Sequence, residues 1–454
     1  MNKNKLVLVI ILGLIGIFIV WIILNLNSDK TQTWNQTKSV AEFHIWLYND
    51  WVEGMTDTLA KFKEKSIAYK STQFKIETFN DYEDYTLALT SAFAQGKGPD
   101  MYEINNSEKN WVLFYNSDGI QPDIINPNDF RKTYNGVFSD DLIDVQEYTE
   151  DWEIQKVEYL RGIPVGFETL GIFYNKAKRI KASDFYSLSS LNTKIDDLKN
   201  SSPNTSPIAI WNGSTVKNSS EIIKQFFLLE NAIVWLEDVT WAKMKSPLTS
   251  YMLFWDENWD NWYNENYSDM ISLNKTWVDL FVRNETFMLV WYPRDLYDID
   301  NKWFNKGLLA AEPFPFYNLA EGTTSIKYDY FVKNKNSENT ELSDALFQYL
   351  TSDNWADEYL KNYSYYLPAL LSLESDKIED KIIDKYNITL WDFYNPDHLL
   401  QSFNVGVKNM FDREIIKVLD NTSNYIDAFN GLRTEIVCKS SKYTTLEGLS
   451  NSCE

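Results

Sequence analysis

Glu168 is the single acid in the stretch GIPVGFETLGIFYNK, residues 162–176. Ile163, Val165, Phe167, Leu170, Ile172 and Phe173 surround it with apolar side chains. A carboxylate in such a strand needs a partner, because burying an unpaired charge is costly. It could accept hydroxyls from a ligand or stiffen a joint through a salt bridge.

Other chemistry is sparsely supplied. There are two histidines, His44 and His398, and His44 sits in an apolar strand pattern where a satisfied core position is expected. The two cysteines, Cys438 and Cys453, lie near the end of the chain with no histidine close by. They are expected to pair as a disulfide in an oxidising compartment, worth about 3 kcal/mol by loop closure. With them committed, a zinc site or a histidine-based triad has no material. The tract DENWDN, residues 256–261, spaces Asp256, Asn258 and Asp260 like the start of a calcium loop. Asn261 and Tyr267 then stand where such a loop needs Gly and Glu, so a solvated aromatic insertion is the better reading. The run SDDLIDVQEYTEDWE, residues 139–153, reads as an acidic loop. Acids are so frequent that a hydrolytic pair has no unique signature, and no strand-end pair stands out.

The elements that position these residues are legible from periodicity. Glu42–Tyr48 reads as a buried strand, followed by Val52, Met55, Leu59 and Phe62 at helical spacing. FKIETFN is a second strand; Tyr82, Tyr85, Leu89 and Phe93 mark a second helix that Gly96 can end, and DMYEI is a third strand. Strand and helix alternating in this way predicts a parallel sheet covered by helices, with ligands beyond the carboxyl ends of the strands. Those ends carry Asp50, Trp51, Asn105 and Asn106. A second series, SPIAIW (206–211) and TFMLVWY (286–292), brackets a helical region that includes Ile222, Phe226 and Leu236. Residues 162–176 thus join two α/β units, and Glu168 is expected in the gap between them.

Length and charge bound the rest. A chain of 454 residues suggests two domains, and 44% hydrophobic with 16% aromatic residues makes it a folded one. A formal charge of −22 argues against nucleic acid as a partner. Lys3 and Lys5 precede the uncharged run Leu6–Leu24, which as a helix nearly spans a hydrocarbon core of about 30 Å. No convincing cleavage site follows. The run is read as a signal anchor (1–26) with a tether (27–39), a cleaved signal peptide being the alternative, and the folded part is placed outside the cell membrane, extracellular or periplasmic.

GKGPDMYEI (96–104), GIPVGFETLGIFYNK, NETFMLVWYP (284–293) and LPAL (367–370) resemble, in order and spacing, the extracellular solute-binding proteins of ABC transporters. The maltose- and oligosaccharide-binding group is the nearest in pattern. SDALFQYLTSDNWADEYLKNY (343–363) likewise resembles the helices before that group's Leu-Pro. The chain departs from the pattern at Asn284-Glu285-Thr286-Phe287 and in having Arg294 after Pro293. The resemblance implies a two-lobed α/β fold of the periplasmic-binding-protein type II kind, no enzymatic activity, no cofactor, and a monomer that delivers a saccharide to permease subunits. Lobe one is expected over 40–165 and 326–365, lobe two over 166–325 and 366–437, with a tail from 438 to 454. Asp50, Trp51, Asn105 and Asn106 of lobe one would then face Trp211, Asn212, Trp291, Tyr292 and Arg294 of lobe two. Glu168 would accept ligand hydroxyls, and Tyr365 and Tyr366 would add a stacking face. Hydrolysis of a glycoside, or sensing and adhesion without transport, remain the alternatives.

Overall fold

The structure is a computed structural model. It describes residues 42–48, 52–79, 82–106, 113, 116–150, 153–203, 205–210, 216, 218–230, 245–251, 276–296, 299, 302, 304–315, 322–351, 366–371, 382–383, 388–389 and 399–401. The run Leu6–Leu24, the tether, the tract 256–261, Asp50, Trp51, Trp211, Asn212, Tyr365, His398, Cys438 and Cys453 lie outside them. Among the described residues no helix is long and apolar enough to cross a membrane.

The first strand, β1 (Glu42–Tyr48), buries Phe43, Ile45 and Leu47 on one face. It pairs in parallel with β2 (Gln73–Phe79) on one side and β3 (Met101–Asn105) on the other. His44 points to the other face, with its side chain 43% exposed and Nε2 3.6 Å from Glu42. The core position expected for it is therefore wrong, because strand alternation gives the inward sites to its neighbours. Helices α1 (Val52–Lys65) and α2 (Tyr82–Ala94) cover the sheet with Met55, Leu59, Phe62, Tyr85, Leu89 and Phe93. The turn after α2 uses Gly96 at φ +67° and Gly98 at φ +142°. A Cβ on Gly98 would lie 2.8 Å from the Phe93 ring, so both backbone freedom and space demand glycine there. Asp100 then fastens this turn to its neighbours, accepting from the His44 amide, the Ser337 hydroxyl and the Asn339 carboxamide.

The chain continues through β4 (Ser117–Asp118), α3 (Pro127–Thr133) and α4 (Gly136–Leu142). The acidic run expected as a loop is instead the end of α4 and a hairpin, β5 (Ile143–Glu150) against β6 (Glu153–Leu160). Tyr148, Val145 and Thr149 favour extended backbone, and the opposed Glu147–Lys156 pair offsets part of the acidity.

β7 (Ile163–Thr169) lies in the large sheet, and β8 (Gly171–Asn175) lies in the small one. After α5 (Leu188–Ser201), the small sheet gains β9 (Ser206–Ala209), then β10 (Thr286–Trp291) and β11 (Leu309–Pro313), in the order β11-β8-β10-β9. Helices α6 (Ser219–Leu229) and α7 (Trp277–Val282) pack on it, the latter started by a reciprocal Thr276–Asp279 capping box. β12 (Thr323–Asn334) returns to the large sheet between β3 and β7, antiparallel to both, and α8 (Thr340–Leu350) covers it. β13 (Leu367–Pro368) adds beyond β7, while β14 (Ile382–Ile383) pairs with β15 (Ile388–Thr389) and β16 (Leu399–Gln401) runs beside the start of β12.

Among the described residues there are two separate hydrophobic cores, one under each sheet, which make two α/β lobes. The first passage between sheets falls at Leu170, later than the expected boundary at 165/166, because Gly166–Thr169 still pair with β12 and, at Gly166 and Phe167, with β13. The segment Tyr366–Leu370, expected in lobe two, packs into the core of lobe one.

Candidate functional site

The two passages lie side by side, since Ile326 pairs with Thr169 at the edge of the large sheet. β12 is held there by two side-chain carboxamides, one from each lobe. Gln225 of α6 donates to the Thr323 carbonyl and accepts from the Ser325 amide, both at 3.0 Å. Asn106 donates to the Ile326 carbonyl at 3.2 Å and accepts from the Tyr328 amide at 3.0 Å. Each carboxamide imitates a neighbouring strand, which satisfies buried backbone groups where the sheet partner changes. The handover along β12 therefore lies between Ser325 and Ile326.

Arg294 bridges the lobes beside this point. It sits on the short helical turn Pro293–Leu296 directly after β10. Asp295 fixes that turn by accepting from the Tyr292 amide at 3.0 Å and the Asn218 carboxamide at 2.6 Å. Arg294 is thereby aimed at the large sheet. Its backbone amide meets Glu168 Oε1 at 2.8 Å and its Nε meets Glu168 Oε2 at 2.5 Å. Its Nη2 meets Asp329 Oδ2 at 2.6 Å. The guanidinium also lies 4.9 Å from the centre of the Tyr366 ring. Tyr366 donates its hydroxyl to Asp329, and Asn105 donates to the other Asp329 oxygen at 2.6 Å.

Among the described residues, the expected ligand contacts are engaged within the protein in this arrangement. Glu168 is fully buried with both oxygens taken by Arg294, which is the salt-bridge alternative and not a free acceptor for hydroxyls. Burial pushes its carboxyl up, and the positive charges of Arg294 and Lys327 pull it back. Asn105, Asn106 and Tyr366 are buried and bonded within the protein. Trp291 belongs to the core of lobe two and stands 6.1 Å from the Phe173 ring. Tyr292 is 1% exposed, with Lys327 5.2 Å above its ring and its hydroxyl unbonded. Arg294, expected as a ligand contact of lobe two, reaches Glu168 and Asp329 of lobe one.

Sequence reasoning missed Glu103, Asp329 and Gln225. Asp329 and Glu103 sit in strands that read as plain core, and only the oddity of an acid among aromatics could have marked them. Glu103 is 2% exposed; its Oε2 accepts from the Tyr48 amide at 3.0 Å, and its Oε1 has no partner. The Tyr85 hydroxyl bonds both backbone groups of Glu103, at 2.8 and 3.0 Å. Toward the carboxyl ends of β1 and α2's start, Tyr48 and Tyr82 meet edge to face at 4.8 Å, half-buried. These rings form an aromatic ledge where ligands of open α/β sheets sit. Among the described residues no group of acids, histidines and cysteines is arranged to hold a metal ion.

Compared by sequence, the chain matches no protein-family profile and no curated protein. In fold it is similar to several solved structures. The cyclic α-maltosyl-1,6-maltose binding protein of Arthrobacter globiformis matches with a TM-score of 0.65 at 11% identity, over 89% of this chain and 100% of that one. The sugar-binding protein MalE of Xanthomonas citri matches at 0.62 and 15% identity, over 90% and 100%. The substrate-binding protein Lmo0181 of Listeria monocytogenes, in complex with cycloalternan, matches at 0.58 and 12%, over 89% and 98%. The chain therefore has the two-lobed α/β fold of the maltose-binding-like solute-binding proteins, along their whole length.

Proposed function

We propose that this protein is a solute-binding protein that takes up a sugar or oligosaccharide between its two lobes and hands it to the permease of an ABC transporter. The observation that carries this reading is the whole-length match of the two-lobed fold to solved saccharide-binding proteins. The paired passages at Leu170 and Ser325/Ile326 supply a narrow joint about which two rigid cores can turn. Tyr48 and Tyr82 offer aromatic faces suited to the C–H surfaces of a sugar ring. Asp50, Trp51, Trp211, Asn212 and Tyr365 are the further contacts assigned by the sequence pattern.

The hydrophobic run Leu6–Leu24 keeps the protein at the membrane as a single-pass anchor, with the lobes on the outer side and Cys438 joined to Cys453. The protein acts as a monomer and carries out no reaction on its ligand. Isolating the full chain from its membranes and identifying a co-purifying molecule by mass spectrometry tests the reading. An intact saccharide supports it; a peptide, amino acid or metal complex as the retained molecule rejects it.

A further inference from the structure

The joint between the lobes holds more carboxylates than its one guanidinium can serve. Glu168 and Asp329 both receive Arg294, and Asp329 is completed by Tyr366 and Asn105. Glu103, on β3 next to β12, is the third acid. Among the described residues it has one amide donor, from Tyr48, and its remaining oxygen meets no donor, only the neighbouring carboxyl of Asp329. The groups facing it are Tyr48 from β1, Tyr85 from α2, Asp329 from β12 and Arg294 from lobe two. Among these described groups Arg294 is the cation, and it is already bonded to the two other acids. A buried, unpaired carboxylate oxygen beside a second carboxylate is relieved most simply by a proton.

We propose that Glu103 carries a proton while Arg294 joins the lobes and releases it when they part, so that the joined arrangement is linked to pH. Burial and the neighbouring Asp329 push the Glu103 carboxyl well above the ordinary range, against the smaller pull of the Tyr48 amide and Arg294. Separation of the lobes lets water reach the cluster and lowers its affinity for the proton. The sign follows directly. A group whose affinity for protons is higher in the joined state favours that state in acid, and the benefit fades as pH rises through its raised value. One such proton can shift the equilibrium by up to about tenfold per pH unit. The device needs no particular ligand and is independent of the saccharide reading.

The test compares the full chain with Glu103→Gln, which preserves size and the acceptor for Tyr48. Infrared spectra taken above the ordinary carboxylate range report carboxyl groups that stay protonated there. Energy transfer between dyes placed through unnatural amino acids at the exposed positions Glu64 and Asp196, one per lobe, reports separation. The expected result is a carboxylic-acid band that Glu103→Gln lacks. As pH rises above the ordinary carboxylate range the wild-type lobes should also part, while the variant's stay together. Identical bands in the two proteins, or lobe distances that follow the same course with pH, would overturn the proposal. Glu103→Met, neutral and similar in volume, takes the same comparison if the Gln variant fails to fold.

Discussion

Arg294 holds Glu168 at two points, its own backbone amide and its Nε, although the residues are 126 positions apart. The two-point contact fixes the turn after β10 against β7, so it orients one lobe on the other. Asp329, reached by Nη2 at 2.6 Å, completes the bridge.

Removing the cation should therefore be the more damaging change. Arg294→Met leaves Glu168 and Asp329 buried without their charge partner, a type of loss that costs about 3–5 kcal/mol. Denaturant unfolding should show that fall, and Glu168→Gln, which keeps an acceptor for the amide, should lose less. Full stability in Arg294→Met would mean that the bridge is incidental.

The carboxamide of Gln225 gives a more local prediction. Gln225→Leu leaves the Ser325 amide and the Thr323 carbonyl without their side-chain partner, worth about 1–3 kcal/mol for a buried orphan. Hydrogen exchange of the Ser325 amide should accelerate by roughly 5- to 100-fold, while the Phe43 amide in β1 keeps its rate. Equal acceleration at both sites would show global destabilisation, and the joint would lose its special part.

Asp279 supplies a pH signature in lobe two. Burial works to raise its carboxyl, but hydrogen bonds from Lys302 and from the amide and hydroxyl of Thr276 prevail and lower it to about 2. A depressed value stabilises the fold above the ordinary aspartate range near pH 3.9 and loses that benefit as pH falls toward about 2. Asp279→Asn should thus lower the melting temperature at about pH 6 and lose most of the difference by about pH 2.5. A difference that is constant with pH would place the effect in packing instead of charge.

The fold was largely legible because its core strands are strongly patterned. Glu42–Tyr48 and Met101–Asn105 stand where alternation and helix spacing put them. The joint between β7 and β8 was legible from an acid in an apolar strand, but its partner was not. Periodicity reports which face of a strand is buried and says nothing of which distant cation arrives there. For that reason Asn105, Asn106 and Tyr366, read as ligand contacts from their positions at strand ends or before the Leu-Pro pair, turned out bonded to β12. The acidic hairpin Ile143–Leu160 was hidden for another reason. Its β-formers are interleaved with acids that are charged on both faces, so no buried side marks it in sequence.

The N-terminal reading has its own test. If Leu6–Leu24 anchors the chain, the protein should stay in membranes through carbonate washing, and its intact mass should include residue 1. A mature chain that starts between residues 25 and 40 would reject the anchor.

Calorimetric titration of the full chain with a panel of linear and cyclic oligosaccharides, followed by mass analysis of the recovered sugar, decides whether the protein is a saccharide binder. At least one saccharide should bind in a one-to-one complex and be recovered unchanged. Absence of binding across the panel, or release of new reducing ends from a bound sugar, would contradict it.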